Sequence, residues 1–149
     1  MMMPSPDNSP SEGSATPPAA GFDGIPGILD AATLAHLLQV EMARARRYEH
    51  PFTLLRLTVS DGVPDQDARR VAGALRLHTR WADSVGAEED GSLLVILRDT
   101  PEAGARAAVA KIRQSLGHEL EAPAGGQFRL ASAAWRKGDD LARLMARLR

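Results

Sequence analysis

From Asp30 onward the apolar positions recur at spacings that alternate between helix and strand. Leu34, Leu37, Leu38, Met42, Ala45 and Tyr48 follow one another at helical intervals, with Glu41 at the edge of the stripe. This spacing predicts an amphipathic helix that His50-Pro51 stops. Phe52-Thr-Leu-Leu-Arg-Leu-Thr-Val59 carries apolar residues on both faces and reads as a largely buried strand. Asp61-Gly62-Val-Pro64-Asp65 has turn chemistry. Asp65 is then placed to cap a second helix, over about 66–79, with Val71, Leu75 and His78 facing inward. Two strands, near 83–87 and 92–98, flank Asp90-Gly91, whose members both tolerate positive φ and so signal a hairpin.

Thr100-Pro101-Glu102 opens the clearest helix, with a Thr cap, Pro at the first helical position and an acid in the first turn. Ala105, Ala108, Val109, Ile112 and Leu116 form its expected buried stripe. Residues 127–135, from Gln127, suit a further strand. Asp139-Asp140 opens a last helix with Leu141, Leu144, Met145 and Leu148 on one face. Arg143, Arg147 and Arg149 lie towards its C-terminal end. The order α-β-α-β-β-α-β-α predicts an α/β (α+β) domain, a hairpin-containing sheet with helices packed against it.

Before residue 29 this regularity is missing. Six of the ten prolines fall there, among Ser, Asp, Asn and Gly, and such a segment cannot bury enough apolar surface to offset its ordering entropy. The expectation is a disordered tail at 1–28 and one domain at 29–149. Phe22, Ile25 and Ile28 suggest that the end of the tail docks on the domain. A length of 149 residues allows one domain at most.

A formal net charge of -1 gives no electrostatic footprint for a nucleic acid polymer or an anionic membrane. Among 18 basic residues only Lys111 and Lys137 are lysines, which reads as composition bias rather than phosphate recognition. With no Cys there is neither a disulfide framework nor a thiolate metal site. No apolar run approaches the roughly 20 residues of a membrane helix. The N-terminus lacks a secretory layout, so a soluble cytoplasmic protein is expected. His36, His50, His78 and His118 are scattered without ligand spacing and read as surface or packing residues.

Several segments carry a resemblance. Glu41-x-x-Arg44-Ala-Arg46-Arg47-Tyr48, running into His50-Pro51-Phe52-Thr-Leu-Leu, resembles the first helix and first strand of the GGDEF (diguanylate cyclase) family. Asp30-Ala-Ala-Thr33-Leu34 is similar to that family's entry motif. Arg80-x-x-Asp83 and the turn after it resemble the central hairpin. Leu97-x-x-Thr100 with its Ala-rich helix, Ala131-Ser132, and Gly138-Asp139-Asp140-Leu resemble the segments that follow. The likeness spans about 29–149 and implies a nucleotide-cyclase-like palm with a central, mostly antiparallel sheet.

The resemblance also implies a chemistry, the condensation of two GTP into cyclic di-GMP on carboxylate-held metal ions. Thr58 stands where the family has its first metal-binding Asp, and Ser60 where a second Asp usually follows. Neither hydroxyl supplies a carboxylate charge to Mg²⁺. Asp61 is close, but a one-residue offset on a strand points to the opposite face. The guanine-reading segment that should follow is shortened away between Ser60 and Asp67. Gly-Gly-Asp-Glu-Phe becomes Glu89-Asp90-Gly91-Ser92-Leu93, so two glycines gain side chains and Ser92 replaces the metal-binding Glu. Glu89 and Asp90 read as solvated hairpin residues, with a shifted metal site as the alternative.

Arg80-x-x-Asp83 is retained five residues before this altered signature, the spacing that marks the family's inhibitory cyclic di-GMP site. A guanidinium can pair with guanine O6 and N7 or with phosphate, and a carboxylate can accept from guanine N–H groups. Trp81 offers a stacking face or a buried ring, and Arg80 with Asp83 can equally form a local structural pair. The leading expectation is a catalytically inactive GGDEF-like module, without catalytic residues, Mg²⁺ or other cofactor, that binds a protein partner or itself in bacterial signalling. The alternatives are a cyclic di-GMP receptor through Arg80 and Asp83, a working cyclase or GTP hydrolase, and a relic domain carrying an informative tail.

Overall fold

The computed structural model describes residues 25–60, 63–119 and 128–148. The expectations for the tail up to residue 24, for Asp61-Gly62, for Gln127, for Arg149 and for the side chain of His118 lie outside the described residues.

In chain order the elements are β1 (Ile28–Leu29), α1 (Ala31–Tyr48), β2 (Phe52–Val59), α2 (Asp65–Leu77) and β3 (Ser84–Ala87). They continue with β4 (Leu93–Arg98), α3 (Glu102–Glu119), β5 (Phe128–Ala134) and α4 (Leu141–Arg147). One sheet holds all five strands in the order β1-β3-β4-β2-β5. Only the β1–β3 pair is parallel; β3–β4, β4–β2 and β2–β5 are antiparallel. The expected α+β palm, mostly antiparallel with packed helices, is the observed architecture. β1 was not expected, because two residues are too few to show a period.

The sheet separates two cores. Leu55 and Leu57 of β2 join Val71 and Leu75 of α2 and Ile112 and Leu116 of α3 on one face. Phe52 and Leu54 turn the other way, to Leu34, Leu38 and Met42 of α1, to Leu144 of α4 and to Leu148, its C-cap. β4 divides likewise, Val95 and Leu97 to the first core and Leu94 and Ile96 to the second. Each of these large side chains contributes about 1.5–3 kcal/mol through burial. α1 lies so close to the sheet that a Cβ on Gly86 would stand 2.9 Å from the Leu34 Cβ.

Some local expectations need correction. Asp65 lies within the first turn of α2, where its charge meets the helix dipole, and the N-cap is Pro64 with no side-chain cap bond. His78 is the C-cap of α2, exposed, with Nε2 2.6 Å from Ser115 Oγ, because the helix ends two residues early. Tyr48 is 60 % exposed under the Arg47 guanidinium rather than buried, and Leu141 also reaches solvent. The Thr100 hydroxyl donates to the Arg98 carbonyl oxygen instead of capping α3. Asp30 and Asp140 do cap, accepting from the Thr33 and Arg143 N–H groups, each at 2.8 Å.

Among the described residues, the side of β5 away from β2 is met by arginines. Arg113 of α3 donates to the Leu130 carbonyl at 2.9 Å, and Arg147 of α4 donates to that of Ala134 at 2.6 Å.

Candidate functional site

The hairpin between β3 and β4 meets β2 at one end of the sheet. Its turn is closed by the Gly91 N–H to the Glu88 carbonyl at 3.0 Å and the Glu88 N–H to the Ser92 carbonyl at 2.8 Å. Of the two, only Gly91, at φ 92, takes the left-handed conformation; Asp90 does not, so the loop between Glu88 and Ser92 is Glu89-Asp90-Gly91 rather than a two-residue Asp90-Gly91 turn. Asp90 instead accepts from the Ser92 N–H at 3.0 Å, an Asx-type closure.

Arg56 is the unexpected member of this site. It follows Phe52 and Leu54 on the α1/α4 side of β2, two residues before Thr58, or about 7 Å along the strand. Its Nε and Nη2 donate to the two Glu88 carboxylate oxygens at 3.0 and 3.1 Å, a bidentate pair with both side chains mostly buried. The Ser92 hydroxyl lies 2.8 Å from Glu88 Oε1 and 2.6 Å from Asp90 Oδ1, so its one proton serves one carboxylate at a time. Hydrogen bonds from the Ser92 hydroxyl and N–H hold the Asp90 carboxyl below the usual carboxylate range. Thr58 is half-buried, Ser60 and Glu89 are exposed, and Leu93 is buried in the α2/α3 core. A lone Arg inside a Leu-rich strand was the available signal, since such a charge is rarely buried without a partner.

Beside this network a cleft of about 490 Å³ runs between α1, the hairpin and α4. Ala31, Leu34, Ala35, Leu38, Leu94, Leu141 and Met145 line it, with Glu88, Glu89 and Asp90 at its hairpin end.

Arg80 and Asp83 are brought together at the α2-to-β3 junction. The Asp83 carboxylate is enclosed and accepts from the Arg80 N–H at 2.9 Å and the Arg98 N–H at 3.1 Å. The Arg80 guanidinium, about half exposed, donates to both Asp83 oxygens at 3.3 Å. It also donates to the Arg98 carbonyl at 2.6 Å and to Thr100 Oγ1 at 2.9 Å. Arg98 reaches back to Glu41, a carboxylate buried in α1 that accepts from its Nε at 3.2 Å and from Arg44 at 3.0 Å. Arg80 and Asp83 therefore tie the α2 end to the β4 end. A groove of about 490 Å³ opens beside them, with Lys111 and Pro101 on its far wall. The Trp81 ring is 91 % exposed.

No family model matches the chain, and no curated protein sequence matches it. Solved structures do. The diguanylate cyclase SiaD of Pseudomonas aeruginosa, solved with its activator SiaC, superposes with a TM-score of 0.70 at 19 % identity, over 93 % of this chain. The chain spans 58 % of the length of that one. The fold is that of a GGDEF domain. The FimX GGDEF domain of Pseudomonas aeruginosa gives a TM-score of 0.69 at 16 % identity, over 86 % of this chain and 88 % of its own. The DgcB GGDEF domain of Caulobacter crescentus, in complex with cyclic di-GMP, gives 0.68 at 14 % identity, over 85 % and 84 %. Among the described residues of this GGDEF-like chain, no three His, Asp or Glu side chains are grouped to hold a metal ion. No described helix is long and apolar enough to cross a membrane.

Proposed function

We propose that this GGDEF-like chain is a regulatory module in bacterial signalling that makes no cyclic di-GMP and acts by binding a protein. One observation carries the reading: the Arg56 guanidinium, paired with Glu88, lies on the strand face that continues to Thr58. Thr58, Ser60 and Ser92 offer hydroxyls where a divalent pair needs carboxylates. Glu88, which shares the Ser92 hydroxyl with Asp90, is already neutralised by a cation of the chain itself. These residues do not fit the two metal ions the fold family implies. SiaD, a neighbour in fold, is bound by an activator protein, which is consistent with a protein partner here. The test incubates the full chain with GTP and Mg²⁺ or Mn²⁺ beside an active cyclase. No cyclic di-GMP above the protein-free blank is expected; catalytic turnover would remove the proposal.

A second reading rests on a different observation, the half-exposed Arg80 guanidinium with Lys111 across one groove. It makes the chain a cyclic di-GMP receptor, as DgcB is a GGDEF domain seen with that ligand. Calorimetry with the dinucleotide decides it: binding that survives Arg80→Ala excludes this site.

A further inference from the structure

Proceeding from the protein-binding reading, we infer that the cleft between α1, α4 and the signature hairpin is the docking groove, and that its occupant is a basic amphipathic helix of a partner protein. The floor and walls are apolar, from Leu34 and Leu38 of α1 and Leu141 and Met145 of α4. Past Leu141 the depression continues along α1 by Gln39 and Met42 to Arg46. From Ala31 to Arg46 the α1 wall is about 22 Å long, which matches an occupant of about 15 helical residues. An apolar helix face with anchors at i, i+3, i+4 and i+7 fills a groove of this kind.

Charge chooses between occupants. Arg56 neutralises Glu88, while Glu89 and Asp90 leave two negative charges at the hairpin end. Asp90, ionised at neutral pH like any ordinary Asp, is held lower still by the Ser92 hydrogen bonds. This end repels a nucleoside triphosphate and attracts Lys or Arg. It also favours the positive end of an incoming helix dipole, so the occupant runs parallel to α1 with its N-terminus at the hairpin.

The test selects a displayed library of random peptides of about 15 residues against the full chain. The expected binders have a single apolar face and net positive charge. Glu89→Lys and Leu141→Asp each weaken them by about tenfold or more, and Trp81→Ala leaves them unchanged. Circular dichroism of the variants checks that the fold is kept. Neutral or acidic binders, indifference to Glu89→Lys, or an empty selection would overturn the groove. Binders lost in Trp81→Ala instead would move the docking surface elsewhere and leave the protein-binding reading standing. Synthesis of cyclic di-GMP from GTP would strike the reading itself.

Discussion

Glu41 and Arg98 meet at 3.2 Å although 57 residues separate them. The carboxylate is enclosed beneath α1, whereas Arg98 and Arg44 keep part of their guanidinium surfaces in water. Removing the acid leaves two cations to be solvated where they stand, and their exposure moderates the loss. Glu41→Ala is expected to lower stability by about 2 kcal/mol in urea unfolding, and Glu41→Gln by less, since the amide still accepts one hydrogen bond. Equal losses in the two variants would show that the retained hydrogen-bond acceptor contributes nothing beyond the lost charge.

Asp83 and Arg80 differ sharply in exposure, and their replacements should differ too. Asp83→Ala strands the Arg80 and Arg98 N–H groups inside the junction and is expected to cost about 3 kcal/mol. Arg80→Ala gives up a half-exposed guanidinium and is expected to cost about 1 kcal/mol. The reverse order in denaturant midpoints would contradict the bonding described here.

Gly86 owes its place to the approach of α1. A methyl group there would stand 2.9 Å from the Leu34 Cβ and Cδ1 atoms, and a Cβ cannot swing aside as a side-chain end can. Gly86→Ala is expected to cost about 1–3 kcal/mol. Combined with Leu34→Ala, the two losses should sum to less than their separate values, as a double-mutant cycle would measure.

Acid should unfold the chain partly through Asp139. A bidentate bond from Arg147, at 3.0 and 2.7 Å, and the Arg136 N–H at 2.7 Å hold its carboxyl below the usual range. Asp90 and Asp30 are lowered as well, by bonds from Ser92 and Thr33. A depressed folded-state pKa gives stability that is present above the unfolded value, about 3.9, and is lost as pH falls through the folded value. Stability should therefore drop with pH below about 4, and Asp139→Asn should flatten that slope while lowering the plateau at neutral pH. An unchanged slope would remove Asp139 from the acid response.

Periodicity made most of the fold legible: every helix and every strand except β1 announced itself in the spacing of Leu, Val, Ile and Ala. β1 was hidden because its two residues are held by pairing with Val85 and Gly86 rather than by a pattern of their own. Element ends slipped where a backbone event set them, as at His78 and Pro64. The spacing of Arg80 and Asp83 was readable, but the depth of the carboxylate and its bond to Arg98 depend on a contact across 15 residues. Glu88 drew no notice because its partner, Arg56, is 32 residues away. Long-range ion pairs leave no mark on local spacing.

The arginines against β5 have a consequence for assembly. The Trp135 N–H bonds to the Phe52 carbonyl at 2.8 Å, which fixes the ladder so that Leu130 and Ala134 direct their carbonyl groups away from β2. Those are the acceptors a newcomer strand would need, and Arg113 and Arg147 already engage them. Lengthening the sheet at this border would first require prising off two charged side chains. At this border, contact through the flanks is thereby favoured over ribbon-like stacking.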